Sequence, residues 1–131
     1  MDRTIDYEIS FKNFIMQCPA ENAYICDIQG FQRICEDKFI FKEISFLNVK
    51  KTALPTVYLF KPPIMWEELS AEERCMAQWT EKFYHGIAWD AGDIAYSRLH
   101  HILRICTEGV ERLFVKGQQK VQWLSTILPN M

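Results

Sequence analysis

Apolar residues along this chain recur at two different periods, and the change of period divides it. The run Tyr24-Ile25-Cys26-Asp27-Ile28 is short, mostly apolar and bounded by Gly30, which predicts a buried strand. From Ile40 to Val49, the residues Ile40, Ile44, Phe46 and Leu47 stand among Lys42, Glu43 and Asn48, an imperfect alternation in strand-forming residues. Val57 to Phe60 predicts a third strand, stopped by Pro62-Pro63 because proline removes a ladder donor. Residues 1–20 precede these strands as an extended or partly helical lead-in that ends near Pro19.

Helical spacing takes over at Ser70. Glu73 stands three residues on and can return its carboxylate to the cap amide, the signature of a capping box. Met76, Trp79 and Phe83, with Cys75, then form an apolar stripe at intervals of three and four, the pattern of a helix docked by that face. A second helix is expected from about Ile94 to Cys106, where Leu99, Ile102, Leu103 and Cys106 share a side, and Gly109 ends that region. Arg112 to Val115 predicts a fourth strand and Gly117 a turn. Gln118 to Leu128 predicts a last helix, with Val121, Leu124 and Leu128 on one side and Pro129 as its stop.

Strands joined by short turns pair antiparallel, whereas a strand reached through helices joins the sheet in parallel. The expected fold class is therefore α/β, a mixed sheet with packed helices in a single domain over residues 23–131. Residues 1–22 form a lead-in segment that docks on the domain or on a partner.

Composition acts mainly by exclusion. The 131 residues are 49% hydrophobic and 14% aromatic, enough for a real core, so disorder and fibrous structure are set aside. Fifteen basic residues against 17 acidic ones give a net charge of -2, which offers nucleic acid no global attraction. The five cysteines, Cys18, Cys26, Cys35, Cys75 and Cys106, lack close paired spacing and read as small buried thiols in a reducing compartment rather than a zinc site. The opening MDRTIDYEISFKNF has no long apolar region and no small-residue cleavage site, and no run of 18 apolar residues occurs anywhere. The expectation is an intracellular protein, cytoplasmic or nuclear, with no membrane span.

The order of elements, taken with three short motifs, resembles the first two thirds of the ribonuclease H-like fold, and more narrowly the DEDD-type 3'-5' exonucleases. The residues that carry the resemblance are Asp27-Ile28-Gln29, where the family has Asp-x-Glu on its first strand, and Tyr84-His85-Gly86-Ile87, where it has a His-Gly-Ile segment. The third is Leu113-Phe114-Val115-Lys116-Gly117 with Gln118-Gln119-Lys120-Val121-Gln122-Trp123-Leu124, a strand leading into a helix that in the family bears another acid. The likeness runs from about residue 23 to residue 128. It implies carboxylates that hold two divalent metal ions, which activate water and stabilise the transferred phosphoryl charge.

This chain departs from that pattern. It keeps Asp27 but has Gln29, whose neutral amide is a much weaker ligand, and the helix after Val115 offers Gln118, Gln119 and Gln122 where an acid is implied. The chain also ends near Met131, before the helix that would carry the family's last His and Asp, so the fold is expected to be incomplete at its C-terminus. Asp27, Gln29 and Gln119 are then the relic of a catalytic site, with no catalytic residue, metal or cofactor. Two other readings stay open for the Asp27 and Gln29 pair. Side chains two apart share one side of a strand, so the pair can simply satisfy backbone groups at a strand end, which is the plainer account. A working metal site would have to recruit Asp90 or Asp93.

Elsewhere, His85, Trp89, Asp90 and Asp93 lie with two glycines in ten residues between helices, a shaped loop that is either packing or a binding loop. No nucleophile motif supports catalysis by His85, and Asp93 also reads as the cap of the helix expected at Ile94. Ile64, Met65 and Trp66, after two stiffening prolines, either cover the sheet or meet another protein. Phe11 and Phe14, with Ile9, Ile15 and Met16, make a second apolar cluster that can block an open sheet edge or join two chains.

These features favour a non-catalytic protein-interaction or scaffolding module, a pseudo-exonuclease that forms a homodimer or binds another protein, with Trp66 and Phe14 as anchors. The alternatives are a metal-dependent 3'-5' exonuclease using Asp27, Asp90 and Asp93, or a single-stranded nucleic-acid binding protein using Lys50, Lys51, Lys116, Lys120 and Trp89.

Overall fold

The computed structural model describes residues 4–6, 22–34, 38–50 and 54–128. Their strands are β1 (Thr4–Asp6), β2 (Ala23–Phe31), β3 (Ile40–Asn48), β4 (Thr56–Leu59) and β5 (Arg112–Val115), in the sheet order β1-β5-β2-β3-β4. The helices are α1 (Ala71–Thr80), α2 (Leu99–Thr107) and α3 (Gln118–Ser125), with short 3-10 turns at Trp66–Glu68 and Tyr96–Arg98.

The sheet is mixed for the reason the connections dictate. β5 is reached through helices and lies parallel to β2, with Ala23 opposite Arg112 and Cys26 opposite Val115. β2 and β3, joined by a short connection, run in opposite senses. Val49 N–H donates to Ala23 O at 3.0 Å at one end, and Gly30 faces Ile40 O at the other. A Cβ on Gly30 would overlap that carbonyl, so β2 passes through the glycine expected to bound it and ends at Phe31. Past β4, Phe60 N–H donates to Lys42 O at 2.8 Å. The strand not foreseen is β1, which pairs in parallel with the outer edge of β5, Thr4 opposite Arg112.

By its contacts the chain divides into two compact units, one of residues 1–27, 45–57 and 100–131, the other of residues 28–44 and 58–99. In the first, Leu113, Phe114 and Val115 of β5 are all buried, and Ile25 and Val49 pack against Ala23 and Phe114. Leu103 and Thr107 of α2 and Leu124 of α3 are buried in the same unit. In the second, Phe31, Ile34, Ile40, Leu69, Ala77 and Trp89 form the core, with Ile64, Trp66 and Tyr96 packed against it.

Ser70 caps α1 as the sequence predicts: its hydroxyl accepts from Glu73 N–H at 3.1 Å and Glu73 Oε1 accepts from Ser70 N–H at 2.8 Å. Most of the expected apolar stripe, however, faces solvent, and only Met76 of it is half-buried. Trp79 and Phe83 are 57% and 63% exposed and Cys75 is exposed, while the buried side carries Ala77 and Thr80. Arg74 sets this rotation: Nε donates to Trp66 O at 3.1 Å and Nη2 to Glu67 O at 2.9 Å. Short side chains then let the helix lie close to the core. The expected burial of the cysteines accordingly holds for Cys26 and fails for Cys75, while Cys18 and Cys35 lie outside the described residues.

The helix expected from Ile94 starts later. Ile94 forms a parallel bridge with Phe60, which holds it extended, and the helical segment opens at Tyr96. Ala95 occupies the cap position there with no side-chain bond, so Asp93 is not the cap. Leu99 and Leu103 are buried and Ile102 and Cys106 half-buried, the shared side expected of them.

Candidate functional site

Asp27 and Gln29 alternate on β2 with buried Cys26, Ile28 and Gly30, and both are half-buried on the other side of the strand. What meets Asp27 is a cation. Lys120, in the first turn of α3, places Nζ 2.7 Å from Asp27 Oδ1, with the lysine side chain 20% and the aspartate side chain 49% exposed. A pair this open to water contributes roughly 1 kcal/mol or less to stability. Its consequence is local charge: the one carboxylate retained at this place is neutralised by an ammonium. Gln118, Gln119 and Gln122 are exposed. Among the described residues no three His, Cys, Asp or Glu side chains come together as a metal site. Beside Asp27, burial pushes the Cys26 thiol far above its usual range, and the neighbouring carboxylate adds to the shift. Buried and held toward its neutral form, Cys26 packs as a small apolar side chain.

The loop from His85 to Asp93 is pinned from several directions. Its central clamp is Lys42 of β3, a fully buried side chain in phase with Ile40, Ile44 and Phe46. Nζ donates to Phe60 O at 2.6 Å, to Trp89 O at 2.7 Å and to Ala91 O. Burial pulls this ammonium down from its ordinary 10.5 to about 8, while Asp90 pulls it back up. The three carbonyls favour the proton as well.

His85 is held just as fully. Nδ1 accepts from Ile87 N–H at 2.9 Å, so the proton sits on Nε2, which donates to Gly30 O at 2.9 Å. Burial pulls its pKa below the ordinary 6.5, against the Gly30 hydrogen bond. Both ring nitrogens are committed, and His85 has no lone pair to offer a metal or a reacting proton.

Trp89, expected as a stacking platform, is instead buried, 3% exposed, with Nε1 donating to Ile64 O at 3.0 Å. Phe31 stands edge-on to both His85 and Trp89, at ring-centroid distances of 5.0 and 5.2 Å. Asp90 and Asp93 are exposed. Asp93 and Ile94 both donate their N–H groups to Leu59 O, at 3.1 and 3.2 Å, which docks the end of the loop against β4. Gly92 is needed there: its φ is +121° and a Cβ would overlap Phe60. This is a packed loop.

Of the expected interface residues, Met65 is 66% exposed, while Ile64 and Trp66 pack on the core, and the Arg74 guanidinium lies 5.9 Å over the Trp66 ring. Ile64 also borders a cavity of about 490 Å³ with Phe39, Ile40 and Tyr96. Trp66 therefore covers its own domain, and Phe11 and Phe14 lie outside the described residues.

Compared with known proteins, the chain matches no family model, no curated protein and no solved structure. Among the described residues no helix is long and apolar enough to cross a membrane.

Proposed function

We propose that this chain is a non-catalytic protein-interaction module built on a degenerate, exonuclease-like α/β fold. The observation that carries the reading is the Lys120 ammonium 2.7 Å from Asp27. Two-metal phosphoryl transfer needs several anionic oxygens converging on the ions, and an ammonium on the acid that β2 retains competes for the same oxygen. Gln29 and Gln119 add no charge, and the lack of an acidic or His/Cys cluster among the described residues weighs against a metal-dependent exonuclease. The likeness to the ribonuclease H-like fold rests on the order β2, β3, β4, helices, then β5 parallel to β2, with β1 added at the edge. Nucleic-acid binding is less well supported, since Trp89 is buried and Lys120 is paired.

The test is incubation of the pure protein with labelled single-stranded DNA and RNA in manganese, where both should stay intact. Gln29→Glu alone should leave them intact too, because Lys120 still holds Asp27. Metal-dependent shortening that Asp27→Ala abolishes would overturn the reading.

A further inference from the structure

The interaction reading leaves open which surface is used, and α1 supplies a candidate that the interior does not need. At 3.6 residues per turn, Glu72, Cys75 and Trp79 occupy one side of α1, opposite the inward-facing Ala77, and Lys82 and Phe83 follow them in the next turn of the chain. All five are exposed. Beyond Thr80 the helix widens into a π-turn over Glu81–His85, closed by Gly86 N–H on Glu81 O at 2.9 Å. Phe83 stays beside Trp79, with ring centroids 5.7 Å apart and the rings tilted 45° to one another, and Lys82 Nζ lies 5.2 Å over the Phe83 ring. Two large aromatic side chains more than half exposed, side by side on a rigid helix, are what interface centres contain and what isolated surfaces avoid.

The charges on this face choose the occupant. Glu72 lies at its N-terminal end and Lys82 at its C-terminal end, about 15 Å apart along the axis. A two-fold axis passing the helix at the level of Ala77 would bring an antiparallel copy of α1 against it. Glu72 would then meet Lys82 of the second copy, Cys75 would meet Trp79, and each contact would occur twice. The helix dipoles would also oppose one another favourably. The face is thus complementary to itself. We propose that it is a two-fold interface, and that the partner it takes is a second copy of this chain. The proposal rests on the interaction-module reading and gives that reading its partner.

Light scattering on the full chain at tens of micromolar should give twice the monomer mass of 15.5 kDa. Trp79→Ala and Phe83→Ala remove exposed side chains and should leave the fold intact by circular dichroism while weakening association by about 30-fold, the loss expected of an interface centre. Lys82→Glu alone should dissociate the dimer, since it sets Glu72 against a like charge twice. Adding Glu72→Lys to Lys82→Glu should restore it. A monomeric mass overturns the proposal, and so does a dimer that survives Trp79→Ala or one that the double reversal fails to recover. None of these failures would produce nuclease activity, so they leave the non-catalytic reading to its own assay.

Discussion

An ammonium has three hydrogens to donate, and Lys42 is placed so that the carbonyls of Phe60, Trp89 and Ala91 take all of them. Lys42→Met keeps the length and removes the donors, leaving three acceptors facing an apolar side chain. The expected loss is about 2–4 kcal/mol in urea unfolding. Because burial lowers this lysine to about 8 from 10.5, the unfolded chain binds the proton more tightly between those values. Stability relative to Lys42→Met should therefore rise with pH across that window. A flat difference would mean that the cage holds the proton as well as water does. His85 works in the other range. Its pKa lies below 6.5 in the folded state, so its contribution is complete above 6.5 and is lost as pH falls toward the folded value. Unfolding at pH 7.5 and 5.5 should show a loss that His85→Gln reduces. Lys42 shares its phase with Ile40 and Ile44, so the strand period pointed inward while the charge argued for solvent. Only the carbonyls, brought from two distant segments, decide the matter. Lys120 was hidden for a related reason: an acid was sought on α3, and a lysine one residue from Gln119 reveals its use only once β2 is beside it.

Elements were legible where their signals are local. The capping box at Ser70, the strand at Arg112 to Val115 and the turn at Gly117 each rest on neighbours in sequence, and each forms as expected. The orientation of α1 was not legible. An apolar stripe gives the period of a helix without saying which side the rest of the chain will cover, and Arg74 with Ala77 settled that here. The His85 to Asp93 loop shows the same limit, since its two glycines look alike in sequence. Gly86 has a φ of +75° with open space around it, whereas Gly92 lies against the Phe60 backbone. Gly86→Ala should cost about 1 kcal/mol, the strain of the left-handed backbone alone. Gly92→Ala should cost about 3 kcal/mol or more, because backbone must also move. Thermal melts of the two variants side by side measure the difference.

At the scale of the molecule, the alternation of strands and helices was enough to give a mixed α/β sheet with β2 in its interior, and not enough to give its edge. β1 is three residues long and carries too little pattern to stand out from the lead-in around it. Its place beside β5 has a consequence for how the chain is made. Thr4 is synthesised long before Arg112, and the two are register partners; Ala23 waits for the same residue. During translation the nascent chain holds two strands whose shared neighbour does not yet exist, so the sheet cannot be zipped in the order in which it is written. Pairing across such a span is slow, and the waiting edges are open to other chains. The final strand acts as a keystone: until it is in place, β1 and the β2 edge that faces it have no partner to pair with.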